Sequence, residues 1–576
     1  MGGHLRPVSM NRKQRRALAK SSPVDTAART RRSDPASAAE TSRLVGLALR
    51  SHQAGQLAEA ERLYRQVLDG DPRNVTCLHL LGVIAHQCGR HDAAVELIGK
   101  AIALNAHVPD FYSNIAMAYQ ALGRFDEAVE HCRKALALTP QSAAAFHRLG
   151  HALHGRGKRD EAQAAFERAL ALRPDYAEAH NSLAVVLSEQ SRFEEAVVHY
   201  QRSLALDPNN AVTRNNCGNA LREQGRLDEA VAELRRALAL KPDYADAHDN
   251  LGLALQGQGQ LDEAIAHHRR GVELRPAQAQ ARINLAIAFL EAGQHEEASA
   301  QAETVARLRE QPGFPRYGFA ILLARCGRRE EARAQFEIVL EEDPGHDVGL
   351  LLAALGFATL PVRAPDALLE KLYTARAASW DAAAVGDKSY RGFKLIGTLF
   401  ERLIPATTMP EVLDAGCGTG LVGGLIHGRC SALDGVDLSA PMLKKAEARG
   451  VYRLLHCGDL LTFLSAHLEG YDVITAAATL IHFGDLQPVL AAAATALRDS
   501  GLFLFTLFPN EAADTFGAGS VEGLAQGGCY RHGRNYVART AQATGFAVEA
   551  MDEEVHEFHQ GRPTMGLVVA LRRMYA

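Results

Sequence analysis

The chain predicts an all-α superhelical solenoid followed by an α/β doubly wound, Rossmann-like domain, and three observations carry that reading. Glycine, alanine and proline recur with a period of 34 across the first 346 residues. From Val412 a short apolar strand runs into three glycines at alternate positions, and an apolar helix follows. The carboxylates Asp414, Asp437 and Asp459 then stand 23 and 22 residues apart, one strand-helix unit each.

In the array, glycine stands at 55, 89, 123, 157, 225, 259, 293 and 327, with Ser191 in the one gap. Alanine holds 60, 94, 128, 162, 196, 230, 264, 298 and 332. Proline holds 72, 140, 174, 208, 242, 276 and 344, with Ala106 and Glu310 as departures. Glycine makes a turn, alanine lets two antiparallel helices approach, and proline stops the second helix. This pattern resembles the tetratricopeptide repeat. It predicts nine units over about 41–346, each stacked on its neighbours in a right-handed superhelix with a long concave face.

The sixth position of a unit is Asn114, Asn216, Asn250 or Asn284 in four repeats, with Asn181 and Asn215 one place earlier. An amide is both donor and acceptor, so it pairs with any peptide bond. The repeats look like those of the O-linked N-acetylglucosamine transferase superhelix, where an asparagine ladder holds extended polypeptide. That resemblance implies a protein or peptide partner in the groove, although Arg148, Ser182 and Gly318 interrupt the ladder.

In the second region, Val412-Leu-Asp reads as a buried strand, and Gly416, Gly418 and Gly420 let the backbone turn and approach a ligand. Leu421 stands where a dinucleotide site wants a third glycine, and Asp414 suits an ammonium group better than a pyrophosphate. Leu433–Asp437 reads as a second strand ending in a carboxylate able to accept from both hydroxyls of a ribose. Ser439 caps the next helix with Pro441 in its first turn. Strands follow near 452–457, 471–476 and 500–507, with a reversed final pair near 546–551 and 566–571. The ordered set resembles the seven-stranded S-adenosylmethionine-dependent methyltransferases. The resemblance implies a cofactor site built from Asp414, Gly416, Cys417, Gly418, Gly420, Asp437, Leu438, Met442, Gly458, Asp459, Leu460 and Ala476, with Asp459 at the adenine amino group.

The zone 476–484 faces the methyl group in that family. It lacks the Asn/Asp-Pro-Pro-Tyr/Phe motif of amide- and adenine-methylating enzymes. His482 is its one group able to titrate near neutrality, which makes it the candidate general base. His456, His532, His556 and His559 are weaker candidates. The acceptor stays open among protein, sugar and small metabolite.

Other features divide the chain and exclude classes. Residues 1–40 read as a separate tail, with nine Lys and Arg against Asp25 up to Arg32, a net of +8. It is a solubilising leader or a contact for an acidic surface, and Met10 is an alternative start. With −4 overall, the remainder is near −12, which argues against a nucleic-acid-binding body. Nine cysteines without a C-x-x-C pair point to reduced thiols and no metal site, hence a cytoplasmic chain. No apolar run reaches membrane-spanning length. A capping helix and stiff linker are expected over 347–365, and the methyltransferase domain over 366–576. Within it, 368–403 reads as helices whose Tyr373, Trp380, Tyr390 and Phe393 cover the cleft and shape the acceptor pocket. The function expected is a methyltransferase whose repeats recruit or orient a partner. An interaction scaffold with a cofactor-sensing, non-catalytic domain is the alternative, and a glycosyltransferase assembly factor is a third.

Overall fold

The computed structural model describes residues 35–343, 348–377, 380–381, 390–518, 530–559 and 562–575. Most of the expected tail, Met10 included, lies outside the described residues, and residues 35–40 already belong to the helix Pro35–Gln53. The chain divides into two compact units, Met1–Val186 and Leu187–Ala576, with the boundary inside the helix Ala177–Glu189.

The first unit is built of antiparallel helix pairs, from Pro35–Gln53 and Leu57–Gly70 to Ala143–Gly155 and Arg159–Leu172. The same pairing continues in the second unit, from Phe193–Leu206 to Arg316–Arg325 and Arg329–Glu342. Each repeat glycine lies at the turn between two helices with φ of 71–76°, a left-handed conformation that glycine adopts without steric cost. Ser191 is forced to φ 60° in the same turn. All nine repeat alanines are fully buried, because any larger side chain there would push the paired helices apart. Where a first helix carries glycine one turn before its end, the partner helix fills the gap: a Cβ at Gly218 would lie 2.6 Å from Leu234.

After the repeats come a short helix, Gly349–Ala354, and then Asp366–Arg376 and Gly392–Leu403. Residue 347, the start of the expected capping helix and linker, lies outside the described residues, as do 378–379 and 382–389 of the pocket-covering segment.

Parallel strands β1 (Glu411–Ala415), β2 (Ala432–Asp437), β3 (Leu454–Cys457), β4 (Tyr471–Ala476) and β5 (Leu497–Pro509) form the doubly wound core. Their order is β3-β2-β1-β4-β5. The reversed pair is longer than expected: β8 (Phe546–His559) pairs antiparallel with β9 (Arg562–Arg573), and β9 runs antiparallel along the middle of β5. A hairpin not foreseen from sequence, β6 (Phe516–Ala518) and β7 (Tyr530–His532), adds to the C-terminal end of β5. Helices cover both faces, so two separate cores form. One contains Leu413, Ile474 and Phe503, the other Val412, Val473 and Leu504, as alternating side chains of the same strands require.

The segment expected to be a stiff linker is hydrogen-bonded to the sheet domain. Val362 O accepts from Gly484 N (2.8 Å) and Asp485 N (3.0 Å), and Ala364 N donates to His482 O (2.9 Å). Tyr530 OH donates to Pro361 O at 2.8 Å, and Tyr530 shares a core with Phe336, Leu351, Ala364 and Leu369. The last repeat and the sheet domain therefore share one apolar cluster. Among the described residues no helix is long and apolar enough to cross a membrane, and the eight cysteines there are free.

Candidate functional site

A cavity with about 900 Å³ of empty space, its open mouth included, lies at the C-terminal ends of β1, β2 and β4. That is where an open parallel sheet leaves a crevice. The loop after β1 forms its floor. Gly416 and Cys417 N–H both donate to Val436 O, at 2.8 and 3.0 Å, which ties the turn to β2. Gly416 has φ 70°, and a Cβ there would stand 2.2 Å from the Thr479 hydroxyl. Gly418 has φ 54° with nothing within 4 Å of where a Cβ would be, so its backbone is open to a ligand.

Asp437 closes the loop from the end of β2. Its carboxylate accepts from Gly418 N–H at 2.9 Å and Ser439 N–H at 2.8 Å. Burial raises its pKa and these two bonds oppose the rise. Each oxygen retains a further lone pair for a ligand hydroxyl. Leu438 and Met442 add apolar wall, and Ser439 caps the helix Ala440–Ala448, with proline in its first turn, as expected. Asp459 lines the cavity after β3 and caps the helix Leu460–Ala466, accepting from Thr462 N at 2.9 Å. Burial pushes its carboxyl up, but Thr462 and the Arg363 guanidinium, 2.7 Å away, outweigh burial and hold it below the usual range.

Of the residues predicted to hold a cofactor, Gly416, Cys417, Gly418, Asp437, Leu438, Met442, Gly458, Asp459 and Leu460 line this cavity. Asp414, Gly420 and Ala476 do not. Asp414 is buried beneath the loop, accepting from Tyr452 OH at 2.7 Å and Thr475 OH at 3.1 Å. Desolvation raises its pKa to about 6 against those bonds. It supports the loop, and its expected place at an ammonium group gives way to that role. Gly420 has φ 84° and starts the helix Leu421–Ile426. A Cβ on it would meet Arg449 and Tyr452 at 3.0 Å. Ala476 ends β4 inside the core, and the cavity wall begins one residue later at Ala477.

His482 lies in the wall, 5% exposed, and shares a 2.6 Å hydrogen bond with Tyr373 OH. Tyr373, Trp380, Tyr390 and Phe393 form one aromatic wall as the sequence suggested, but the Tyr373–His482 pair carried no sequence signal across 109 positions. Arg363 was missed altogether, because a residue between two prolines reads as linker. It lines the cavity, pairs with Asp459 and Asp366, and lies over the Phe483 ring at 5.2 Å. The other histidines are elsewhere. His532 donates from Nε2 to Phe483 O and Gly484 O at 2.8 and 3.1 Å, and His556 bonds Thr506 OH at 3.0 Å. Burial pushes both to about 4, so both are neutral imidazoles at neutral pH. His456 is exposed on β3 and does not itself line the cavity, although it packs against the lining residue Gly458, and the His559 side chain lies outside the described residues.

The asparagines expected to line a groove are half-buried and partly engaged. Asn114 donates to His79 Nε2 (2.8 Å) and Asn250 to Asn215 Oδ1 (2.9 Å), each bond joining adjacent repeats. Asn216 Oδ1 accepts from Asn215, and Asn284 Oδ1 from Gln280. Among the described residues no group of three His, Cys, Asp or Glu is placed to hold a metal ion.

With this geometry in view, residues 412–501 match the family described as a methyltransferase domain. Residues 51–117 and 255–312, 107–175, 147–211, 199–232 and 315–337 match families described as tetratricopeptide repeat, and 218–259 one described as TPR repeat. The chain is 34% identical over 98 residues to the uncharacterized methyltransferase Rv0089 of Mycobacterium tuberculosis (strain ATCC 25618 / H37Rv), covering 16% of this chain and 47% of that protein. It is 32% identical over 103 residues to the ubiquinone biosynthesis O-methyltransferase of Thiobacillus denitrificans (strain ATCC 25259 / T1), covering 17% and 43%. The chain thus spans about half or less of the length of these relatives. Among solved structures it is similar to YrrB, a TPR protein with an unusual peptide-binding site. The identity is 25% and the TM-score 0.29, over 32% of this chain and 96% of that one.

Proposed function

We propose that this chain, in which tetratricopeptide repeats are joined to a methyltransferase domain, is an S-adenosylmethionine-dependent methyltransferase whose repeats bring a polypeptide partner or acceptor to the catalytic domain. The observation that carries the reading is the convergence of the Gly416–Gly418 backbone, the Asp437 carboxylate and His482 on one cavity. The residues present fit the cofactor. Gly418 leaves open the space a side chain would fill, and Asp437 has acceptor capacity for two ribose hydroxyls. Leu438, Met442 and Leu460 supply apolar surface for the adenine, with Asp459 as the acceptor for its amino group. When bound, the cofactor supplies a sulfonium methyl carbon, whose C–S bond breaks with its electron pair going to sulfur as an acceptor lone pair forms the new bond.

The chain's own contribution is positioning and proton removal. The wall of Tyr373, Trp380, Tyr390 and Phe393 holds the acceptor out of water, and His482 is the base toward which an acceptor proton moves. Asp414 keeps the glycine turn in place through Tyr452 and Thr475. In the repeats, Asn216, Asn250 and Asn284 offer amide groups to a polypeptide, with one N–H of Asn250 already given to Asn215. Free thiols suit a reducing compartment, the cytoplasm. Isothermal titration with S-adenosylmethionine and S-adenosylhomocysteine, followed by tritium-methyl labelling of a lysate, tests the reading. Stoichiometric binding and a labelled product are expected. A folded chain that binds neither compound refutes it.

A further inference from the structure

We propose that the acceptor is a neutral phenol, and that its proton passes through Tyr373 to His482. The inference deepens the methyltransferase reading and rests on it. Both side chains line the cavity, but they are not equivalent: His482 is 5% exposed, whereas Tyr373 is only partly buried. The more exposed Tyr373 is therefore assigned the contact with the acceptor, and the imidazole the place behind it. The 2.6 Å bond gives Tyr373 a place to send its own proton, His482 Nε2. In the relay the acceptor O–H proton moves to the Tyr373 oxygen, the Tyr373 proton moves to Nε2, and His482 ends as imidazolium. The acceptor oxygen is left with the lone pair that forms the new bond. Tyr373 is the catalytic residue of the pair, and His482 acts through it.

The class of acceptor follows from charge, shape and proton affinity. Among the described residues of the wall Arg363 is the cation, and it already faces Asp459 and Asp366. An anionic acceptor would have to break those pairs. Tyr373, Trp380, Tyr390 and Phe393 follow one another at centroid spacings of 5.8, 5.7 and 5.9 Å, a surface suited to a planar ring. Proton transfer is most efficient between groups of similar affinity. A phenol and a tyrosine hydroxyl both ionise near about 10. An aliphatic hydroxyl ionises near the range of water, about 15.7, which leaves a tyrosine relay far uphill.

The test uses the full chain saturated with S-adenosylhomocysteine and 4-nitrophenol as probe, since the phenolate of that compound absorbs at longer wavelength than the neutral form. At a pH below the probe's own pKa, the wild-type chain should bind it and show the phenolate band. Tyr373→Phe should bind it with affinity within about threefold yet lose the band. His482→Asn and His482→Gln should do the same, with S-adenosylhomocysteine affinity unchanged in all three. With S-adenosylmethionine, methylation of the probe should fall about 10²-fold or more in Tyr373→Phe. A band that survives in Tyr373→Phe overturns the relay. A chain that binds S-adenosylhomocysteine but not the probe overturns the acceptor class, whereas loss of S-adenosylhomocysteine binding itself counts against the underlying function.

Discussion

Alanine at Gly418 and alanine at Gly416 should fail in different ways, and the difference reports what the turn is for. Both positions hold a left-handed backbone, which costs an L-residue about 1–2 kcal/mol. The less flexible unfolded chain offsets about 0.4–1 kcal/mol of that. At Gly418 nothing lies within 4 Å of the new methyl, so the net loss of stability is about 1 kcal/mol. In a domain of this size that lowers Tm by about 2–4 °C. In the proposed function the methyl nevertheless stands on the face offered to the cofactor, and affinity for S-adenosylhomocysteine should fall tenfold or more, about 1.4 kcal/mol. At Gly416 the methyl would stand 2.2 Å from the Thr479 hydroxyl, which donates to Ala415 O at 3.0 Å. Moving Thr479 sacrifices that bond, about 1 kcal/mol, and adds overpacking of about 1–3 kcal/mol. With the same backbone cost of about 1 kcal/mol, Gly416→Ala should therefore lose about 3–5 kcal/mol of stability, and adding Thr479→Ala should restore at least about 1 kcal/mol. Thermal unfolding with and without S-adenosylhomocysteine, paired with calorimetry, separates the two effects. If Gly418→Ala binds as tightly as the wild type, the backbone there does not meet the cofactor and the reasoning fails.

Four other outcomes follow. Asp437→Ala should weaken S-adenosylmethionine binding about tenfold to a hundredfold by calorimetry while the far-ultraviolet helical spectrum is retained, since a charged acceptor is worth about 1.5–3 kcal/mol. Asp414 carries a raised pKa of about 6 against an unfolded value of about 3.9, so its protonated form favours folding; that contribution is present below about pH 4 and lost by about pH 6. Urea titrations should show wild-type stability falling relative to Asp414→Asn by up to about 3 kcal/mol over that window, two units at 1.36 each, and parallel curves would contradict the burial of the charge. Ser191→Gly should raise the unfolding midpoint, because relief of about 1–2 kcal/mol of strain exceeds the added chain entropy of about 0.5–1 kcal/mol. Changing Asn216, Asn250 and Asn284 together to alanine should leave methylation of a small acceptor intact but weaken capture of a polypeptide partner, and identical pull-downs from both forms would show that the groove binds otherwise.

Residues were legible where the backbone leaves little choice. A left-handed turn every 34 positions and a contact too close for a Cγ admit glycine and alanine almost alone, so the repeats could be counted directly. The same holds for β1 and β2, whose apolar runs end in glycine or a carboxylate at the C-terminal edge of the sheet. What stayed hidden depends on partners remote in sequence. Asp414 looked free to meet an ammonium group because nothing local shows that Tyr452 and Thr475 close over it. Arg363 looked like linker because its partners are Asp459 and Phe483. The asparagines looked like an open ladder because side chains 35 positions apart bond only once repeats stack.

The hydrogen bonds of Pro361, Val362 and Ala364 decide where this polypeptide can be divided. Anyone wishing to graft a different set of repeats onto the methyltransferase domain would naturally cut at the two prolines, and would thereby remove the Arg363 that faces Asp459 and the backbone that steadies His482. The safer seam runs upstream, at a repeat boundary such as the turn after Lys241. There the two sides meet through the same repeat-to-repeat interface that any consensus unit can supply, and the wall of the cavity travels whole with the recipient.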